Sequence, residues 1–169
     1  MSLVITKIKE HSNIKKMILN EIYETKQSNY SNVTSTDWET PNNIERTYFT
    51  KYIKDIINKY YIGIAEQLGL KDFNFTKLII HNWWFQIYDK DSKHGWHTHP
   101  GSHFTNVYFI ELPDSTLATE IKGHNNLNIK EGDLITFPAY WPHRGPINKT
   151  NKRKTIISFN ISFNENSGN

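Results

Sequence analysis

The sequence predicts a mainly β fold backed by two N-terminal helices, an antiparallel sandwich or barrel. Three observations carry this. Two amphipathic patterns with three- and four-residue steps fill the first seventy residues, and after Leu70 the chain changes to short runs dense in β-branched and aromatic residues, broken at close intervals by turn signals. The stretch Trp83–Ser102, WWFQIYDKDSKHGWHTHPGS, holds three of the eight histidines, His94, His97 and His99. A fourth, His143, lies far downstream in FPAYWPHRG, so the pattern points to one metal held inside a barrel.

The elements follow in order. Residues 12–26 read as a helix with Ser12 as its cap and Ile14, Met17, Ile18 and Ile22 as its apolar stripe. Residues 27–45, polar and containing Pro41, read as a loop, with Trp38 anchoring it on the core. Residues 46–68 read as a longer helix with Phe49, Ile53, Ile56, Tyr60, Ile64 and Leu68 on one face and Gly69 as its stop. Strands are expected within Phe73–Tyr88, at 104–112 up to Pro113, at Leu117–Ile121 and Leu127–Ile129 around a Gly123–Asn126 turn, at 134–137 after the Glu131–Asp133 turn, and at Thr155–Phe163. Pro138–Pro146 reads as an irregular loop, and the polar tail after Phe163 as frayed.

Length fits a single domain, 1–169, with 1–70 as a helical support region and 71–163 as the β core. There are no cysteines, so disulfides, iron–sulfur clusters and thiolate zinc sites are excluded and a metal must take nitrogen or oxygen ligands. A net charge of +3 with scattered lysines gives no nucleic-acid face. No run is long and apolar enough for a transmembrane helix or a signal peptide, so a cytoplasmic location is expected.

In a strand, residues i and i+2 point to the same side, so His97 and His99 can reach one ion together, and His143, in a loop stiffened by Pro138, Pro142 and Pro146, can supply a third ligand. Three ligands on one face leave positions open for substrate and dioxygen, as in a mononuclear non-haem iron site. His94 and His103 are weaker candidates that read as supporting or solvated residues, and His11, His81 and His124 carry no assigned role.

Several motifs occur together and in order: Trp84-Phe85-Gln86-Ile87-Tyr88, His97-Thr98-His99-Pro100-Gly101-Ser102, Thr105-Asn106-Val107-Tyr108-Phe109, Phe137-Pro138-Ala139-Tyr140-Trp141-Pro142-His143 and Ser158-Phe159-Asn160-Ile161. Across residues 83–163, about half of the chain, they resemble a family of 2-oxoglutarate- and iron(II)-dependent oxygenases with an H-x-H…H ligand pattern. The resemblance implies a double-stranded β-helix, or jelly roll, with iron at its open mouth. It also implies a dioxygenase that hydroxylates a small-molecule or peptide substrate while 2-oxoglutarate becomes succinate and carbon dioxide. Carried residue by residue, it makes His97, His99 and His143 the metal ligands, with His99 standing where the wider superfamily has an aspartate. A basic residue about ten positions after the last histidine anchors the far carboxylate of 2-oxoglutarate. Lys154 falls at that place and Arg153 is its neighbour of opposite strand parity, while Gln86 and Tyr88 are further candidates for holding the cosubstrate. Two other readings use the same barrel. One is a cupin-type metal site without 2-oxoglutarate, in which His103 replaces a glutamate ligand. The other is a non-catalytic jelly roll whose aromatic residues Trp83, Trp96, Tyr140 and Trp141 hold a ring-shaped ligand.

Overall fold

A computed structural model describes residues 2–30, 32–71 and 73–163. Its elements, in order, are β1 (Val4–Lys7), α1 (His11–Glu24), β2 (Ser35–Thr36), a π-helical turn (Phe49–Ile53) running into α2 (Lys54–Gln67), a 3-10 turn (Phe75–Lys77), β3 (Leu78–Tyr88) and β4 (His94–His97). β5 (Phe104–Glu111), a second 3-10 turn (Ser115–Leu117), β6 (Glu120–Ile121), β7 (Asp133–Pro138), β8 (His143–Gly145) and β9 (Lys154–Phe163) follow. The strands form a six-stranded antiparallel sheet in the order β1-β7-β5-β9-β3-β2 and a three-stranded sheet in the order β4-β8-β6. The two sheets face each other, and the helices cover the outer face of the larger one. This is the helix-backed β sandwich of the sequence reading, with both helical segments and the long strands in place.

The alternation along the two central strands explains the layering. On β9, Ile157, Phe159 and Ile161 point to the helices, where they meet Ile18, Ile22, Phe49, Ile53, Tyr61 and Ile64. Ile156 points the other way, into a second cluster between the sheets with Val107, Phe109, Ile135, Phe137 and Ile121. Both faces of the large sheet are therefore buried, but unequally: the helix side of β9 is apolar, while its inward row carries Ser158, Asn160 and Ser162. Each buried Ile or Phe contributes about 1.5–3 kcal/mol.

Several boundaries differ from the expectation. α1 begins at His11 with Glu10 as its N-cap and no side-chain cap bond, so Ser12 lies inside the helix. Gly69, at φ +76°, does end α2: its N–H donates to Glu66 O, and Leu70 N–H to Ala65 O. Leu127–Ile129 forms no strand, and Pro138–Pro146 is not wholly irregular, since it contains β8. β1 and β2, too short to stand out in sequence, add both edges of the large sheet. The tail expected to fray lies outside the described residues.

The 27–45 segment is fixed by a buried ion pair. Asp37 and Arg46 are both almost fully buried, 3.4 Å apart. Asp37 Oδ1 accepts from Phe85 N–H at 2.8 Å and Oδ2 from the Tyr48 hydroxyl at 2.6 Å, while Arg46 donates to Trp83 O at 2.8 Å and to Asn42 Oδ1 at 3.1 Å. Burial raises the Asp37 pKa above the usual carboxylate value, against the lowering pull of the Tyr48 and Phe85 bonds and of Arg46. Asp37→Ala leaves a guanidinium buried without its counter-charge, and should cost about 3–5 kcal/mol of stability, read as a lower urea midpoint at unchanged m-value. An unaltered midpoint would show that the pair does not hold this segment.

Candidate metal centre

The interior of the barrel is written in rows by the pairing of β3 with β9. The register sets Tyr88 opposite Lys154, Gln86 opposite Ile156, Trp84 opposite Ser158 and Asn82 opposite Asn160. These alternate residues all face the small sheet. From one end of the barrel to the other the rows run from a lysine and a tyrosine, through an amide and an indole, to a pair of asparagines.

The small sheet brings the histidines to the middle of this series. His97 on β4 lies directly opposite His143 on β8, so one backbone pair sets both side chains. His99, two residues past His97, is held by its N–H donating to Ala139 O at 2.9 Å. The ring centroids lie 4.3 Å (His97–His143), 5.0 Å (His97–His99) and 5.1 Å (His99–His143) apart. Each residue offers one ligand atom, all within 4.8 Å of one another. That spacing would let the three side chains hold one metal ion between them.

The donor chemistry fits a metal. His97 Nδ1–H donates to Gly95 O at 2.7 Å and His143 Nδ1–H to Trp141 O at 2.9 Å, which fixes the tautomer and leaves each Nε2 with a free lone pair. His99 Nε2 is buried without a hydrogen-bond partner among the described residues. Burial is the first cause of a lowered pKa at all three, to about 3 for His99 and about 4 for His143, with mutual charge repulsion adding to it at those two. They are thus neutral, ligand-ready imidazoles.

Of the four residues expected at the cosubstrate, the structure brings three together. Lys154 is 0% exposed, with its Nζ 4.4 Å from the centroid of the Tyr88 ring and no hydrogen-bond partner among the described residues. Burial pulls its pKa down to about 7, which the Glu120 charge only partly offsets. The Tyr88 hydroxyl donates to Gln86 Oε1 at 2.9 Å, and Gln86 Nε2 donates to His94 Nδ1 at 3.2 Å. Arg153 stays outside. Strand parity turns it to the surface, where it pairs with Asp89 at 2.9 Å and donates to the Tyr23 hydroxyl at 3.1 Å, mainly the Asp89 bond raising its pKa.

His94 is closer to the centre than its sequence context indicated. Its ring stacks on His97 at 4.0 Å, and burial, then the charges of His97 and Lys154, lower its pKa to about 4. With Gln86, Tyr88 and the histidine trio it lines a gap of only about 20 Å³. His103, the extra ligand of the cupin-type reading, is exposed and accepts from Phe163 N–H at 3.2 Å, outside the trio. Trp96 and Tyr140 are exposed, and Arg144 lies over the Trp96 ring at 4.8 Å. Two wall residues had no assigned place in the site: Trp84, whose ring lies 5.4 Å from His99, and Trp38, 4.3 Å from Trp84. The shared parity of Trp84 with Gln86 and Tyr88 was a signal for the first.

No protein-family profile and no curated protein sequence matches the chain. Solved structures do match in fold. An oxidoreductase of the 2OG-Fe(II) oxygenase family from Burkholderia pseudomallei superposes with a TM-score of 0.68 at 12% identity, covering 95% of this chain and 84% of that one. A Pseudomonas putida prolyl-4-hydroxylase gives 0.62 at 9% identity over 96% and 93%. HygX from Streptomyces hygroscopicus, solved with nickel and 2-oxoglutarate, gives 0.66 at 9% identity over 94% and 82%. The fold is therefore the double-stranded β-helix that the motif resemblance implied.

The buried lysine has a thermodynamic signature. Its pKa is about 7 in the fold against 10.5 for the free side chain, so between these values the unfolded chain binds more protons and stability must rise with pH. Urea unfolding of the metal-free protein should show this rise from about pH 7 towards pH 10 relative to Lys154→Met, which lacks the titrating group. A wild-type minus variant difference that stays flat would place the ammonium in contact with water.

Proposed function

We propose that this chain is a 2-oxoglutarate- and iron(II)-dependent dioxygenase that inserts one oxygen atom into a substrate C–H bond while 2-oxoglutarate is converted to succinate and carbon dioxide. The observation that carries the reading is the pairing of two incomplete sites in one barrel. Three neutral imidazoles converge, and beyond them the wholly buried Lys154 ammonium makes no hydrogen bond among the described residues. A dicarboxylate that bridges the two completes both. The double-stranded β-helix and the nickel and 2-oxoglutarate held by HygX support the same assignment.

In this reading His97, His99 and His143 hold iron, which supplies activation of dioxygen and of the bound keto acid. Lys154 carries the charge that meets the far carboxylate, as a point charge rather than a bidentate fork. Burial makes that contact strong, because little water competes for the ammonium. The Tyr88 hydroxyl and Gln86 amide stand beside the path between anchor and metal, and Gln86 and the His94 ring must give way for a dicarboxylate to occupy a gap of about 20 Å³. His99 in place of a carboxylate leaves the centre one unit more positive, which strengthens its hold on an anionic cosubstrate.

Calorimetric titration tests this. Nickel should bind the wild-type protein and 2-oxoglutarate should follow. Lys154→Met should keep nickel binding and weaken 2-oxoglutarate by about 10–100-fold, the loss of one charge-assisted hydrogen bond. His97→Ala should abolish both. Because the anchor must be protonated, wild-type affinity for 2-oxoglutarate should fall as pH rises above about 7. Equal 2-oxoglutarate affinity in wild type and Lys154→Met would overturn the anchor, and with it the assignment.

A further inference from the structure

Beyond the histidine trio, on the side away from Lys154, a cavity of about 370 Å³ opens between the 27–45 segment and the turn Thr98–Ser102. His99 is common to its wall and to the wall of the metal centre. The larger cavity of the molecule, about 510 Å³ under Ser115–Ile129, shares only Thr119 with the centre and none of the trio. A reactant that must meet a group held by His99 is therefore served by the first cavity.

Its lining has a definite chemistry. It contains no lysine, arginine, aspartate or glutamate, and its histidines are His99 and the exposed His81. One wall is the Trp38 indole, 6.5 Å from the His99 ring and packed edge-on against Trp84. The floor is the last inward row of the large sheet. Asn160 is held there, accepting from the Thr105 hydroxyl at 2.8 Å and donating to Asn82 Oδ1 at 2.9 Å. That bond orients the Asn82 amide, whose own nitrogen has no acceptor among the described residues. The Ser102 and Thr98 side chains and the Pro100 ring complete the rim. Trp38 is not a loose flap. Its neighbour Asp37 is locked into the ion pair with Arg46, and its own N–H donates to the Thr36 hydroxyl at 3.1 Å, so the indole is set before a ligand arrives.

We propose that this cavity is the substrate site, and that it takes an uncharged, hydroxyl-rich ring, a sugar or cyclitol, laid against Trp38 with its hydroxyls on Asn82 and Ser102. A flat indole covers the C–H face of such a ring, and amide and hydroxyl groups meet its rim. The volume suits a small molecule, and a lining without lysine, arginine, aspartate or glutamate offers a charged one no fixed counter-charge. The oxidative role of the site rests on the function proposed above, whereas the ring-binding role does not.

Saturation-transfer NMR separates the two. Methyl α-glucopyranoside, myo-inositol and N-acetylprolinamide serve as probes of the protein with and without nickel and 2-oxoglutarate. The two hydroxylated rings should receive saturation, with the signal reduced by about tenfold or more in Trp38→Ala and in Asn82→Leu and largely retained in Trp38→Phe. Circular dichroism and nickel titration of each variant show that the barrel is intact. No transfer to either ring, transfer that persists in both Trp38→Ala and Asn82→Leu, or Trp38-dependent transfer to the prolinamide alone overturns the proposal. Ring binding without any 2-oxoglutarate binding leaves the cavity assignment standing and removes the oxygenase reading instead.

Discussion

The antiparallel register of β3 on β9 is the constraint on which the rest depends. It places an ammonium, an amide, an indole and an asparagine at successive depths of one barrel, and at the same time turns Phe85, Ile87, Ile157, Phe159 and Ile161 to the helices. A slip of one residue would exchange the two sets, putting Lys154 among the helices and Phe159 in the site. The cost is large, because the slip would set the lysine and the asparagine and serine side chains among the apolar residues under the helices. The irregularity between Ile80 and Asn82 absorbs a mismatch just where the strand leaves the barrel. The chemistry of the interior is thus fixed by the same alternation that builds the core.

The small sheet works by a second, looser logic. It has only short strands, and its contribution is one cross-strand pair, His97 with His143, and the turn that follows. The backbone carbonyls of Gly95 and Trp141 hold the two rings, so the imidazole orientation does not rely on other side chains. Stacking of His94 on His97, and the tilted packing of Trp84 beside His99, closes the remaining freedom.

How much of this was legible in the sequence follows from the range of the interactions. The helical stripes and long strands are local patterns, and the parity of His97 with His99, of Lys154 against Arg153, and of Gln86 with Tyr88 is equally local. Those features could be read along the chain. The strand β8 could not, because three residues between prolines acquire strand geometry only from their neighbours β4 and β6. The ends of the large sheet were hidden for the same reason: Val4–Lys7 and Ser35–Thr36 are strands only because β7 and β3 offer edges to them. His94 looked solvated because its surroundings, Gln86 and the His97 ring, depend on a β4 bulge that sequence does not announce. Nor does sequence bring Trp38 to His99; that proximity is the work of a buried ion pair within a polar segment.

The position of β9 in the large sheet has a consequence for the order of assembly. It follows every other described strand along the chain, yet it lies between β5 and β3. Until it inserts, the sheet exists as two separate pieces, β1-β7-β5 and β3-β2, each with a long open edge. Every contact that joins them spans much of the chain, such as Tyr88 with Lys154, so closure is slow compared with helix formation. The nascent chain therefore passes through a stage in which its histidines are already synthesised but the wall behind them is missing. The histidine face of the barrel is therefore complete only once β9 is in place, a requirement of the topology rather than of any weakness in the finished fold.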